Sequence, residues 1–347
     1  MSTFLDFVGE YNREVAPFIK SYFDYQMDKV SSISPLAVKG LKDLRDFMEG
    51  GKKMRGALVL LGYQMFGGDN LQEALKASIA IEIIHGSLLI HDDFMDADSL
   101  RRGRMTMHKK YAQKLGERYG NSMAVNLGDA GFFMAFKLLS GLSLPGERVT
   151  KAIGHLGGLL TEVVLGQTMD ITFEEEKRFS EEEVMLIHRF KTADYTVSGP
   201  LVIGAILAGA GEGIRKPIED YGIPTGIAFQ IKDDELGMFS SEEELGKAVD
   251  SDIKAGKVTL LIAKALEFSR GEDKKFLEEY YGKEDISSEE VEKIRGIVVN
   301  SGALKYSQNV AEDLVEKGKE RLVSLEIDEE YKGMLKELGE FVVRRSN

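Results

Sequence analysis

Apolar residues recur at helical spacing almost from one end of the chain to the other. Phe4, Phe7, Val8, Tyr11, Val15, Phe18, Ile19 and Tyr22 fall at three- and four-residue intervals and predict a packing or dimer-edge helix over 1–30. Pro35 opens a second helix, as proline does at a first turn, running to about Met48. Gly50-Gly51 breaks it, and Lys52 and Arg55 start the next. Residues 71–97 read as one long helix, apolar nearly all round and hence buried. Segments 121–140, 148–173 and 180–194 continue as helices, the last closing at Lys191-Thr192 before the apolar run from Tyr195. Residues 217–236 form another buried helix through Ile218, Tyr221, Ile227 and Ile231. Beyond about 260 the helices are strongly charged outside and hold no evident chemistry. No strand-type alternation of useful length occurs. The expected fold is therefore all-α, a single large helical bundle around a central cavity, with one domain over 1–347.

Composition narrows the function. A formal net charge of −13 argues against nucleic-acid binding, which needs a basic face. The absence of cysteine removes disulfide and thiolate chemistry and fits a cytoplasmic protein. Asp6, Glu10 and Glu14 make the first fifteen residues unlike a secretory signal. The longest uncharged run, Tyr195–Gly211, is 17 residues, short of the roughly 20 that a membrane span needs; it predicts a buried helix.

The candidate chemistry lies where two buried helices end in carboxylates, a design that packing alone does not explain. The first ends in His91-Asp92-Asp93-Phe94-Met95-Asp96, followed by Asp98, Arg101 and Arg102. Asp92 and Asp96, four apart, share a helix face. The second carries Gln230-Ile231-Lys232-Asp233-Asp234-Glu235-Leu236-Gly237. Mg²⁺ takes a few carboxylates and fills its shell with phosphate oxygens and water, so the two clusters could clamp one diphosphate through about three ions. Lys52 and Arg55 open a helix, a fair anion site, although a solvated cation cluster is the plainer reading of those residues alone. His85 lies seven residues before Asp92 on nearly the same face, where a satisfied core histidine and a ligand-binding role stand about even. With Arg102, these three would form a second, metal-free anion site. It is not a nucleotide P-loop, whose Gly-x4-Gly-Lys-Ser/Thr is missing. Two diphosphate sites of different construction imply two substrates: one loses its diphosphate to leave an allylic cation, and the other keeps its own and attacks through an alkene.

The motifs resemble those of the trans-isoprenyl diphosphate synthases, the all-helical head-to-tail prenyltransferases. Asp92-Asp93-Phe94-Met95-Asp96 matches the first aspartate-rich motif and Leu100-Arg101-Arg102-Gly103 the arginine pair after it. Gly50-Gly51-Lys52-Lys53-Met54-Arg55 resembles the Gly-Gly-Lys-x-x-Arg element, with Gly56 where proline is common. Gly226 to Asp234 matches the second motif, and Lys191-Thr192 and Gly128-Asp129 match shorter ones. The resemblance covers about residues 35–260. It implies that Asp92, Asp96 and Asp233 hold Mg²⁺, that Arg101, Lys191 and Lys247 contact the allylic diphosphate, and that Lys52, Arg55, His85 and Arg102 contact isopentenyl diphosphate. Asp93 and Asp234 complete the metal candidates; Thr192, Gln230 and Lys257 complete the substrate contacts. Asp92, Asp96, Lys191, Asp233 and Lys247 form the catalytic set. Gly237 replaces the usual third aspartate of the second motif, as in many archaeal members, and leaves the roles of Asp234 and Glu235 open.

Product length should be read from the pocket floor one and two turns before Asp92. Ser87 and Leu88 are not aromatic there, and Ile84 and Ile81 lie deeper. Members of the family this chain resembles that stop at fifteen carbons usually carry an aromatic plug there, so the resemblance implies geranylgeranyl diphosphate, with farnesyl or longer products as alternatives. A terpene cyclase would share the first acidic motif but not need Lys52, Arg55 and Arg102. A His-Asp phosphohydrolase and a non-catalytic partner subunit are the other rivals, and a homodimer is the expected assembly.

Overall fold

The computed structural model describes residues 3–177, 179–240 and 250–345, and its elements follow the apolar spacing. Helix α1 (Phe4–Ser31) buries Phe4, Val8, Tyr11, Val15, Ile19 and Phe23 along one stripe. Its start is fixed by a reciprocal cap, in which Thr3 Oγ1 accepts from the Asp6 N–H and the Asp6 carboxylate accepts from the Thr3 N–H. Helix α2 (Pro35–Met48) begins after Ser34, whose hydroxyl accepts from the Leu36 N–H; such a cap contributes roughly 1 kcal/mol. Gly50 and Gly51 then take φ of 89° and 71°, a conformation glycine adopts without steric cost. They turn the chain into α3 (Met54–Met65).

Helix α4 (Leu71–Met95) is the axis of the bundle. It packs on α3 and on α6 (Glu117–Ser140), while α3 packs in turn on α9 (Gly199–Ala208). By length and composition α4 could cross a membrane, but 72% of its most apolar 18-residue stretch is buried inside the fold, which is what a core helix requires. It ends two residues before the expected 97, where Ala97 at φ 56° turns the chain. Leu100–Arg101 (β1) and Arg104–Met105 (β2) form a two-stranded antiparallel hairpin, too short to register as sequence alternation. Helix α5 (Met107–Leu115) and the long α7 (Gly146–Glu176) flank α6 in the chain.

The expected break at Lys191-Thr192 does not occur. Helix α8 (Glu181–Ile187) passes directly into π-helical turns over His188–Ser198 and on into α9. The wider turn lets the Gly199 N–H reach the Asp194 carbonyl five residues back, and Pro200 falls in the first turn of α9, where its missing N–H is harmless. Helix α10 (Arg215–Phe239) exceeds the expected 217–236 and packs on the π-helical turns. A short helix, α11 (Ser251–Ala255), follows among the described residues. Five further helices follow: α12 (Leu260–Phe268), α13 (Gly271–Tyr280), α14 (Ser288–Asn300), α15 (Ala303–Arg321) and α16 (Glu329–Arg344). The main core runs through α1 to α10, α15 and α16. A second apolar cluster, including Met238, Ile253, Leu261 and Ile294, ties the end of α10 to α11, α12 and α14.

Candidate active site

The end of α4 delivers its carboxylates onto cations from three other segments. Asp92 lies 3.4 Å from Lys191 Nζ and 3.6 Å from Arg101 Nη2. Lys191 also donates to Asp170 of α7 at 2.6 Å. Asp96 accepts from Lys257 Nζ at 2.6 Å, and the same ammonium lies 3.2 Å from Glu174. Burial pushes the Asp92 carboxyl up, but Lys191, Lys257 and Arg101 outweigh it and hold it at about 2. Burial, with Asp92 beside it, raises Asp96 instead, and burial takes Glu174 up to about 7. Both lysines are pushed the other way: burial lowers them, yet the surrounding carboxylates raise them overall. Sequence-predicted Asp92, Asp96, Arg101, Lys191 and Lys257 therefore meet in one cluster, with Thr192 half-buried next to Lys191.

Two of the expected metal ligands are placed differently. Asp93 is fully buried with its carboxylate on Arg101 Nε, and burial raises it to about 7 despite that partner. Asp234 lies 3.0 Å from His188 Nε2 in the π-helical turns and accepts from Gln230 Nε2 at 2.7 Å. Side chains next to each other in a helix point about 100° apart, so the neighbours of Asp92 and Asp233 turn to other partners. Among the described residues, no three His, Asp or Glu side chains stand at the spacing one ion takes. Lys247 lies outside the described residues.

The second cluster is cationic. A cavity of about 240 Å³ is lined by Lys52, Arg55, Glu82, His85, Arg102 and Arg345, among others. Arg55 donates to Thr196 Oγ1 at 2.7 Å and lies 3.1 Å from His85 Nε2. A guanidinium cannot accept, so that ring nitrogen accepts and the imidazole carries its proton on Nδ1. Burial and the neighbouring Arg55 and Arg102 push His85 well below its ordinary range; it is neutral. Arg55 Nε is buried with no hydrogen-bond partner, a donor held in reserve at the cavity. Arg102, at φ 52°, also lines a neighbouring cavity of about 540 Å³ with Arg101 and Arg104.

Helix α3 starts without a cap of its own, since Lys53 at its N-cap offers no acceptor. Glu82 of α4 supplies one: its Oε1 accepts from the Gly56 N–H at 2.7 Å. The glycine at the position where proline was expected thus keeps the donor that proline lacks.

A further cation enters from the far end of the chain. Arg345 pairs with Asp233, donates to the Phe229 carbonyl at 2.8 Å, and stacks its guanidinium 3.7 Å above the Phe229 ring. Burial raises Asp233 in spite of Arg345. Lys52 lies 4.9 Å over the ring of Phe341 in α16, the helix that ends just before Arg345.

Residues 42–298 match the family model for polyprenyl synthetase. The chain belongs to the polyprenyl synthetase family. It is 34% identical to a geranylgeranyl diphosphate synthase of Sulfolobus acidocaldarius over 99% of each chain. It is also 34% identical to one from Methanosarcina mazei, over 85% of this chain and 86% of that one. Among solved structures, a Corynebacterium glutamicum geranylgeranyl pyrophosphate synthase complexed with isoprenyl diphosphate and magnesium superposes with a TM-score of 0.92. The two are 29% identical, over 97% of this chain and 99% of that one. Within this family fold, sequence reasoning missed Glu82, Thr196, Glu174 and Arg345. Only Glu82 left a usable signal, as the single charged residue in the apolar run from Ser78 to Ile90. Arg345 left none, because its partner Asp233 is 112 residues away.

Proposed function

We propose that this chain condenses isopentenyl diphosphate with an allylic diphosphate, head to tail, in a Mg²⁺-dependent reaction that yields a longer trans-prenyl diphosphate. One observation carries the reading: two charged clusters of opposite construction, joined by α4, which carries His85 in one and Asp92 in the other. The first is the cavity of permanent cations and a neutral histidine. The second is the cluster in which Asp92 and Asp96 already sit on lysine and arginine. Asp92, Asp96 and Asp233 would hold the magnesium, with three ions per site as the expected count. Their hard oxygens fit it, and Mg²⁺ needs only one or two carboxylates when phosphate oxygens and water complete its shell. When bound, the metal supplies positive charge to the departing diphosphate.

The chain's own groups do the rest. Lys191, Lys257 and Arg101, with Lys247 and Thr192, orient the allylic diphosphate, while Asp93 and Asp234 hold Arg101 and His188 in place. Lys52, Arg55, His85 and Arg102 hold isopentenyl diphosphate through charge-assisted hydrogen bonds. The apolar surfaces of the buried helices exclude water. When the allylic C–O bond breaks, its electron pair leaves with the diphosphate. The alkene electrons of the second substrate then form the new C–C bond, and a proton passes to the released diphosphate.

The product is geranylgeranyl diphosphate on this reading. Ser87 is fully buried with its hydroxyl on the Ile83 carbonyl, and it faces Gly131 of α6, where a built Cβ would come within 2.1 Å of it. Neither Ser87 nor Leu88 supplies an aromatic plug. The assembly is a homodimer. Incubating the purified chain with Mg²⁺, isopentenyl diphosphate and separate allylic primers, then reading products by mass spectrometry, tests the proposal. Trans-prenyl diphosphates ending at twenty carbons are expected. Hydrolysis alone, cyclic hydrocarbon or inertness would reject the reaction, and another chain length would reject the product.

A further inference from the structure

Lys257 reaches the site from a short link between α11 and α12, and its backbone is pinned on both sides. Helix α11 closes in a Schellman motif. Gly256, at φ 75°, donates its N–H to the Ile253 carbonyl at 3.3 Å, and Lys257 donates its own to the Asp252 carbonyl at 3.0 Å. Lys257 therefore leaves the helix in a fixed direction. Its carbonyl is held by Tyr281, the residue after α13, whose hydroxyl donates to it at 2.6 Å.

The turn that carries Tyr281 is itself anchored. The Tyr281 N–H donates to the Leu277 carbonyl at 3.0 Å, and the Gly282 N–H donates to the Ile253 carbonyl at 2.9 Å. Leu277 and Ile253 are buried in the same apolar cluster. The Gly282 carbonyl accepts from Lys177 Nζ at 3.1 Å, directly after the end of α7. Gly256 packs against the turn so closely that a Cβ built on it would lie 3.1 Å from the Gly282 Cα. Helix α7 also carries Glu174, which with Asp96 receives the Lys257 ammonium. One turn thus holds the backbone of Lys257 and the helix of one of its counter-ions in a single frame. That frame matters because an ammonium on a flexible four-carbon stem is placed only as well as its backbone, and an error of about 1 Å at a reacting group can cost about a hundredfold in rate.

We propose that Tyr281 is a positioning residue for Lys257: through the Lys257 carbonyl, its hydroxyl sets where the lysine meets the allylic diphosphate. The inference rests on the proposed Mg²⁺-dependent reaction and deepens it. It also gives the turn after α13, far along the chain from either acidic motif, a part in substrate binding.

The test is a double-mutant cycle read by calorimetry. Inorganic pyrophosphate is titrated into the full chain with and without Mg²⁺, and the Mg²⁺-dependent binding is compared among variants. Lys257→Ala should weaken it by about tenfold or more, as loss of a charged hydrogen bond does. Tyr281→Phe, which removes only the hydroxyl, should weaken it by about three- to tenfold, the scale of one neutral hydrogen bond. In the Lys257→Ala background the same change should cost less than about twofold, because two residues that act through one contact are not additive. In turnover, Tyr281→Phe should raise the KM for the allylic primer and leave that for isopentenyl diphosphate within about twofold. Circular dichroism establishes that each variant is folded; should Tyr281→Phe not fold, Gly256→Ala, which pushes the link off the turn, takes its place in the cycle. Wild-type binding in Tyr281→Phe, or an equal loss with and without Lys257, overturns the proposal. If Lys257→Ala weakens binding and Tyr281→Phe does not, the reaction stands and this inference alone fails; a wild-type chain that binds no pyrophosphate with Mg²⁺ removes both.

Discussion

Asp92 sits where burial and neighbouring cations oppose each other and the cations win. Burial works against its charge, while Lys191, Lys257 and Arg101 hold it ionised. Asp92→Ala should therefore cut kcat by roughly 10²–10³-fold, the scale on which groups that stabilise developing charge act, while thermal unfolding stays cooperative. Turnover equal to wild type would remove Asp92 from the chemistry. A carboxylate outside the site gives a pH test. Burial alone would raise Asp43, but hydrogen bonds from Lys39, Tyr111 and Lys110 bring it down to about 2; the Tyr111 hydroxyl donates at 2.6 Å and Lys110 at 3.0 Å. A folded value below the ordinary 3.8 means that the stabilisation is fully present above that pH and is lost as pH falls through about 2. Asp43→Asn should then lower stability by about 2 kcal/mol at neutral pH, with the gap from wild type closing toward pH 2. Denaturant unfolding across that range checks it; a gap that does not change with pH would show that the charge is not what matters.

At the scale of elements, α3 is set by what meets its first turn. The Gly56 N–H is donated to Glu82, and a Cβ at 56 would lie 2.0 Å from the Tyr11 hydroxyl, which in turn bonds Ser78 at 3.0 Å. Gly56→Pro would install the residue expected at this place, yet it should destabilise this chain by about 3 kcal/mol, because it leaves a buried carboxylate unsatisfied and overpacks Tyr11. An unchanged midpoint in denaturant would contradict that account. The neighbouring α4 carries the product-length test: Ser87→Phe meets Gly131 of α6, so it should lower stability by about 1–3 kcal/mol through overpacking and, in the folded protein, shorten the main product by one isoprene unit, whereas an unaltered product spectrum would place the floor elsewhere. Helices this apolar were readable from spacing, and so was the oddity of carboxylates at the ends of α4 and α10, because burial and charge conflict visibly in a sequence. The π-helical turns were not readable: a one-residue change in hydrogen-bond register leaves apolar spacing almost intact, so Lys191-Thr192 looked like a helix end. Nor was Arg345, since a helix terminus rich in charge normally faces water and only the tertiary fold carries it to Asp233.

For the molecule as a whole, the outer faces of α6 and α7 carry the surface that the proposed homodimer would use. Phe133 is 72% exposed, and Val164 and Leu165 are 59% and 58% exposed, with Val125 also uncovered. Phe133 lies eight residues after Val125, so both project from one face of α6, and α6 packs beside α7. Bulky apolar groups left open on adjacent helices mark an association surface, and a second copy of the same face covers it most simply through a two-fold axis. Net charge sets the condition for that contact. Each chain carries −13, so two copies repel over long range and the apolar contact must outweigh the repulsion. Salt screens the repulsion over a Debye length of about 8 Å at physiological ionic strength and leaves the apolar term in place. The homodimer should therefore tighten as salt rises, the reverse of an interface held by ion pairs. Phe133→Arg places a charge at the centre of the face and should shift the protein to monomer in sedimentation velocity at micromolar concentration. Because the opposite side of α6 supports α4, the monomer should also lose turnover. A wild-type monomer would reject the homodimer, and a Phe133→Arg variant that still sediments as a dimer would place the interface elsewhere.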